Sequence, residues 1–335
     1  MWVFNMDNYK VKLVKNNLQI DITNIIGNLS WSNSINSLGT KLSFDTARNP
    51  KDKYLNVFDS VEVGSFIVLT NNNNEIFRGI VVTEDIEQYK KAFSCLDFAF
   101  YLNQNKIIKQ FKAISVSNAI TQLCNSYSIP IGKVCNIATL ITNIYNEKSL
   151  AEIIKDMLNK ATAETGLKYR LEMRKGKLFV EKYTDLVVQA KVQLAKNIAS
   201  FNSLQAIASL KRSRSIIDMK NSIVVYSASE SYNSVEATAK DTANMQQFGL
   251  LQDTIKVENK DIAQARNIAS KKLAELSKII TSTNIEILGN DELNAGRILH
   301  LNLASYDING DFLIKDCKHT YNNGLHKCSL SLEEL

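Results

Sequence analysis

Apolar and polar residues alternate on both sides of Asn16-Asn17 in KVKLVKNNLQIDI, residues 10–22. A period of two puts successive side chains on opposite faces of an extended chain, and an Asn-Asn pair tolerates the positive φ of a tight turn. The segment is therefore predicted to be a β-hairpin. Similar strand patterns return at residues 41–46, 65–70, 75–83 and 92–98, with residues 71–74 as a turn. A first hundred residues built this way predicts an antiparallel β domain.

The period then changes to that of a helix. In SVSNAITQLCNSY, Val116, Ala119, Ile120, Leu123, Cys124 and Tyr127 fall on one stripe, and Pro130 follows as a stop. A second helix is predicted from Ser149, whose pairing with Glu152 has the spacing of a capping box. Leu150, Ile153, Ile154, Met157, Leu158 and Ala161 give its buried face, and Gly166 ends it. YRLEMRKGKLFVEKY then reads as a hairpin around Lys175-Gly176.

Strands resume at about residue 190, including one predicted over 215–227. A long helix over 260–280 interrupts them, with Ile262, Ala265, Ala269, Leu273, Leu276 and Ile280 on one face. Further strands are predicted at 282–288, 297–304, 312–320 and 325–332. The predicted class is mainly β with an α+β insert. Two β-barrel-like antiparallel domains, residues 1–104 and 189–335, flank a small α+β domain, residues 105–188, and the long helix lies in the C-terminal domain.

GSFIVLT, EIFRGIV and KAFSCLD, starting at residues 64, 75 and 91, are matched in order by GRILHLN, GDFLIKD and GLHKCSL, starting at 296, 310 and 324. The nearly constant offset is what two versions of one β-meander would leave, although strands also share composition by chance.

Composition narrows the function. With 335 residues, 45% of them hydrophobic, and only 2 Pro and 12 Gly, the chain can bury a core without disulfides or metals. Cys95, Cys124, Cys135, Cys317 and Cys328 are odd in number and scattered, which fits reduced thiols and a cytosolic setting. No basic leader with an apolar run opens the sequence, and no stretch is long and apolar enough to cross a bilayer, so no membrane insertion is expected. The net charge of +6 leaves 40 cationic side chains largely offset by 34 acidic ones. The densest basic cluster, Lys211, Arg212 and Arg214, lacks interleaved aromatics and reads as a solvated strand edge rather than a nucleic-acid site.

Catalytic signals are weak. The 3 histidines, His300, His319 and His326, accompany no nucleophile elbow or HExxH motif, and no Gly-rich phosphate loop follows a strand. Asp97 and Asp316 are single carboxylates at strand ends, the usual place of hydrogen-bonded turn groups. No enzymatic activity, catalytic residue, cofactor, small-molecule substrate or metal ligand is expected.

HTYNNGLHKC, residues 319–328, places two histidines and a cysteine around a turn, with Cys317 just upstream. A two-residue Asn323-Gly324 turn pairs His319 with Cys328 and Tyr321 with His326, which puts Cys317, His319, His326 and Cys328 on one face. A three-residue loop would split them between faces. Leu330 and Leu332 continue the His326 side, favouring the shared face. That face serves a buried hairpin or a metal, and the spacing lacks the short knuckle of zinc sites, so packing is the preferred reading.

WSNSINSLGTKLSFDTARNP, NEIFRGIVV, DFAFYLNQNK, NSYSIPIGKV and HTYNNGLHKCSLSL occur in this order along nearly the whole chain. Together they resemble the hub proteins of contractile phage tails, in particular those of PBSX-type defective prophages and phage-tail-like bacteriocins. That branch is similar to the late control protein D group. The resemblance implies a homotrimeric baseplate hub whose two similar barrels per subunit make a pseudo-sixfold ring. Such a ring adapts a sixfold tail tube to a threefold spike, with baseplate wedge proteins around it. It further implies assembly in the bacterial cytoplasm and release on lysis. Tyr321 stands where the family often has Trp, and Cys317 and Cys328 are particular to this chain. The competing readings are a tail-associated cell-wall hydrolase and a nucleic-acid-binding protein.

Overall fold

The computed structural model describes residues 7–15, 18–48, 51, 60–188, 193–194, 206–228, 233–257, 259–303 and 306–335. The fold is mainly β. Strand β1 (Tyr9–Lys15) pairs antiparallel with β2 (Leu18–Asp21), and Lys15 faces Leu18, the register of a two-residue connection. The Asn16-Asn17 turn itself lies outside the described residues. Alternation decides burial here: Tyr9, Val11 and Leu13 point into the core while Lys10 and Lys12 do not.

Strands β3 (Ile26–Ser34), β4 (Thr40–Ala47), β5 (Phe66–Asn71), β6 (Asn74–Ile86) and β7 (Lys90–Asp97) come next. β5, β6 and β7 form an antiparallel meander, and Asn72 and Asn73 hold φ of 47° and 68° at its first turn. Trp31, Leu42, Phe44, Ile67, Leu69 and Phe93 share a core with the inward face of β1.

A second core belongs to the segment of mixed periodicity. It comprises α1 (Ala99–Gln104), β8 (Lys106–Ser115), α2 (Val116–Ser126), β9 (Ile131–Val134), β10 (Leu140–Ser149), α3 (Leu150–Thr165), β11 (Tyr169–Arg174) and β12 (Lys177–Lys182). At the start of α3, Ser149 Oγ accepts from the Glu152 N–H at 3.2 Å and Glu152 Oε2 accepts from the Ser149 N–H at 2.7 Å. A cap of this kind contributes about 1 kcal/mol. Gly166, at φ 74°, closes the helix. The anticipated stripe of α2 is buried except for Tyr127, which is 42% exposed at the C-cap. The β11–β12 hairpin turns at Lys175-Gly176 as expected.

After β13 (Val187–Val188), β14 (Gln193–Leu194) and β15 (Ala206–Ser215), the chain enters the smaller of its two compact units, Lys211–Thr283. This unit holds β16 (Ser222–Ala228), β17 (Asn233–Lys240), α4 (Thr242–Phe248), β18 (Gln252–Val257) and α5 (Ala265–Leu276), with sheet order β17-β16-β18. Ile223, Val225, Ala237, Val257, Ala265 and Ala269 form its own core. Two expectations need correction. The strand predicted over 215–227 is broken between Ser215 and Ser222, where Asn221 is buried and its side chain bonds the Gly249 and Leu251 backbone. The helix predicted over 260–280 is α only from Ala265 to Leu276, with a 3-10 segment, Asn259–Gln264, before it. The β-branched run Ile279-Ile280-Thr281 favours extended backbone and ends it.

The remaining strands are β19 (Ile280–Leu288), β20 (Ile298–Leu303), β21 (Ile308–Asn322) and β22 (Leu325–Glu334). β20, β21 and β22 are again an antiparallel meander, with Leu299, Leu301, Phe312, Ile314, Leu330 and Leu332 in one core. Among the described residues one sheet of 14 strands runs β14-β15-β19-β22-β21-β3-β4-β7-β6-β5-β1-β2, with β20 also on β21 and β13 on β20.

The sheet contains one strand order twice, β3-β4-β7-β6-β5-β1 and β15-β19-β22-β21-β20-β13, and the two differ at the end pairing, where β1 is antiparallel to β5 and β13 is parallel to β20. Each long middle strand carries a bulge against its meander partner, between Val81 and Thr83 in β6 and between Ile314 and Asp316 in β21. Bulges bend a strand and re-aim its remaining residues. Beyond its bulge β21 pairs on its other side with β3, Asp316 to Ser34 through Tyr321 to Leu29. Beyond its own bulge β6 pairs only with β7 among the described residues.

Candidate functional site

The densest chemistry lies where β21 crosses from β20 to β3. Asn323 and Gly324, at φ 51° and 79°, make the two-residue turn that pairs His319 with Cys328 and Tyr321 with His326. Cys317, His319, His326 and Cys328 therefore share one face, and all four are buried. His319 Nδ1 lies 3.0 Å from His326 Nε2 and 3.1 Å from Cys328 Sγ, and Cys328 Sγ lies 3.7 Å from His326 Nε2. Cys317 Sγ sits on the other side of the His319 ring, 3.1 Å from Nε2 and 3.3 Å from the Leu293 carbonyl oxygen.

Residues far away in sequence close over the cluster. Trp31 of β3 stacks on His319 with centroids 4.8 Å apart and planes 6° apart. Tyr9 of β1 packs against both Trp31 and Tyr321. Its hydroxyl lies 2.9 Å from His326 Nδ1 and donates to Asp291 Oδ1, while Asp7 Oδ2 lies 3.2 Å from the same His326 nitrogen. His319 Nε2 faces the Leu293 carbonyl oxygen at 2.9 Å. Gly289 presses its backbone on the His326 ring so closely that an added Cβ would sit 1.8 Å from Nδ1.

Burial dominates the electrostatics. It drives His319 down to about 3, with the neighbouring His326 acting the same way, so the ring is neutral. Burial likewise lowers His326, opposed by the charges of Asp291 and Asp7. It pushes the Cys328 thiol up to about 12 and the Cys317 thiol well above its usual value. The Tyr9 hydroxyl is raised by burial and by the adjacent carboxylates.

The other residues singled out from the sequence lie elsewhere. Asp97 is a turn group, as expected: Oδ2 accepts from the Thr40 N–H at 2.7 Å and Oδ1 from the Ala99 N–H at 2.9 Å. Asp316 is exposed on β21. His300 is exposed and faces Asp311, with Nδ1 to Oδ1 2.9 Å. Lys211 and Arg214 are exposed on β15. Sequence reading missed Asp7, Tyr9, Trp31, Asp291 and Leu293, because no local period links β1 or the β19–β20 connection to the hairpin.

The YQBQ-like family model matches residues 29–333. The phage-like element PBSX protein XkdQ of Bacillus subtilis (strain 168) is 25% identical over 280 residues, covering 82% of this chain and 83% of that one. This is the PBSX-type resemblance read from the sequence segments. The tail protein of prophage MuSo2 from Shewanella oneidensis superposes with a TM-score of 0.69 at 11% identity, over 97% of this chain and 98% of the other. A tail protein from Neisseria meningitidis MC58 gives a TM-score of 0.66 at 14% identity, over 98% and 97%. At these identities the two structures establish a shared fold.

Proposed function

Because the chain belongs to the YQBQ-like family, we propose that it is a structural protein of a phage tail or tail-like particle: the baseplate hub, acting as a homotrimer. The tail-protein fold and the XkdQ relationship support the tail assignment. The observation that carries the hub reading is the strand order present twice in one sheet. Two equivalent lobes per chain let three chains offer six similar surfaces to a sixfold tube and three to a spike. The lobes correspond to the expected domains 1–104 and 189–335, the second extended by β13 at Val187–Val188, with the rest of 105–188 as the insert between them.

The way the lobes join within one chain suggests how copies join. Inside the chain, β3 of the first lobe adds to β21 of the second beyond its bulge. The counterpart of β21 is β6, whose residues Thr83 to Ile86 have a partner on one side only among the described residues, and the counterpart of β3 is β15. An unpaired edge is a template for another strand. In the proposed trimer β15 of one copy adds to β6 of the next, so every lobe junction has the same form and the ring closes at three. Ile86 and Asp85 are exposed on β6, Lys211 and Arg214 on β15, so the edges have opposite charge at these positions.

Light scattering on the purified full chain tests the reading. The proposal expects a mass three times that of the chain, alone or once the tube or spike protein is added. A strict monomer under both conditions, or an open ladder of higher species, contradicts it.

A further inference from the structure

His319, His326 and Cys328 converge three donor atoms on one point, and their surroundings dictate which form each donor takes. A carbonyl oxygen only accepts, so the 2.9 Å contact to Leu293 O puts the His319 proton on Nε2 and leaves Nδ1 as a bare lone pair. The Asp7 carboxylate only accepts, and the Tyr9 hydroxyl gives its proton to Asp291. His326 therefore carries its proton on Nδ1, and its Nε2 is bare as well. Two lone pairs then face each other at 3.0 Å, and the single Cys328 S–H can satisfy only one of them. A buried arrangement of this kind needs a cation at its centre.

The dimensions suit a metal ion. Zinc lengths of about 2.05 Å to nitrogen and about 2.3 Å to sulfur give roughly 3.3 Å between two nitrogens and roughly 3.6 Å from nitrogen to sulfur in a tetrahedron. The observed separations are 3.0, 3.1 and 3.7 Å, and the three ligand atoms all lie within 4.8 Å of one another. Both imidazoles also have the backing that ligating histidines have, a carbonyl behind one and a carboxylate and a phenol behind the other.

We propose that His319 Nδ1, His326 Nε2 and Cys328 Sγ bind one zinc ion per chain. Cys317 is not a ligand, because its sulfur lies on the far side of the His319 ring. The fourth position falls to a water or to the Asn290 carbonyl oxygen, 3.8 Å from Cys328 Sγ. Binding converts the Cys328 thiol to a thiolate with release of one proton, and no electron is transferred. The complex carries one net positive charge, which Asp7 and Asp291 offset from behind His326 and Tyr9. Nitrogen and thiolate donors together suit a borderline-soft ion and disfavour magnesium or calcium. The ion would clamp the hairpin to the elements that back it, β1 and the β19–β20 connection. The proposal departs from the preference for packing alone that the residue spacing suggested, and it is independent of the hub reading.

The full chain, made without a His tag and purified without chelator, tests the site. Elemental analysis is expected to find one zinc per chain. Cobalt(II) in place of zinc is expected to give tetrahedral d–d bands and a thiolate charge-transfer band in the near ultraviolet. Cys328→Ser should abolish that band and weaken zinc binding at least 100-fold, and His326→Gln should weaken binding similarly. Cys317→Ser and Cys95→Ser should keep stoichiometry and spectrum, with circular dichroism confirming that each variant is folded. A folded wild-type chain that takes up no zinc, or a Cys328→Ser chain that binds zinc and cobalt as the wild type does, overturns the proposal.

Discussion

Arg297 and Glu172 lie 125 residues apart in the chain and form a two-pronged buried ion pair, Nη1 to Oε2 3.1 Å and Nη2 to Oε1 2.7 Å. Both side chains are 11% exposed. Glu172 also faces Arg174 Nε at 2.7 Å and Arg170 Nε at 3.5 Å, so one carboxylate serves three guanidinium groups. The pair ties β11 to the start of β20. Glu172→Gln leaves buried cations uncompensated and is expected to cost about 3–5 kcal/mol in denaturant unfolding. The double variant Glu172→Met, Arg297→Met, which buries no unpaired partner from this pair, should cost less than either single change.

Asp97 makes stability depend on pH. Burial, helped by the charge of Glu172, raises its carboxyl from 3.8 to about 7, against the pull of the Thr40 and Ala99 N–H groups. The folded chain therefore holds this proton to higher pH than the unfolded chain does. The stabilising contribution is complete below about pH 3.8 and is lost as pH rises through about 7. Asp97→Asn is neutral at every pH and keeps an acceptor for one of the two N–H groups. Relative to that variant, the wild type should lose roughly 2–3 kcal/mol between pH 5 and pH 8 in urea unfolding, at about 1.36 kcal/mol per pKa unit.

Gly289 and Gly324 are needed for different reasons, and alanine separates them. A Cβ at Gly289 meets the His326 ring at 1.8 Å, whereas a Cβ at Gly324 meets nothing within 4 Å and has only the positive φ of 79° against it. Gly324→Ala is expected to cost about 1 kcal/mol. Gly289→Ala should cost more, about 2–4 kcal/mol as an overpacked core position, and should shift the His326 ring resonances in NMR spectra.

Much of this was legible in the sequence because it is local. The hairpins at Lys175-Gly176 and Asn323-Gly324, the capping box of Ser149 and Glu152, and the stripe of α2 all arise from neighbours within a few positions. The short helices α1 and α4 were not anticipated, although Asp241 caps α4 through the Asn244 N–H and Gly249 ends it. Parallel pairings such as β16 with β18 leave no turn signal between partners. The site was half legible: register placed His319 opposite Cys328, but Tyr9 and Asp7 reach His326 across 317 and 319 residues. Only the folded sheet brings them together.

Proline at the proposed subunit edges is expected to break assembly and spare the fold. Asp85→Pro in β6 and Ser213→Pro in β15 each obstruct strand addition at an edge. Each should shift the light-scattering mass from trimer to monomer without changing the far-ultraviolet circular dichroism of the remaining sheet. Asp85→Lys should weaken the trimer, and Asp85→Lys combined with Lys211→Asp should recover part of it.

A density map of the assembled tail end tests the central claim most directly. The account predicts that Thr83 to Ile86 of β6 in each copy is hydrogen-bonded to β15 of its neighbour, in the same way that Asp316 to Tyr321 is bonded to β3 within the chain, three times around a closed ring. A map in which the outer edge of β6 meets solvent or an unrelated protein, with unlike contacts at the two lobes, would contradict it.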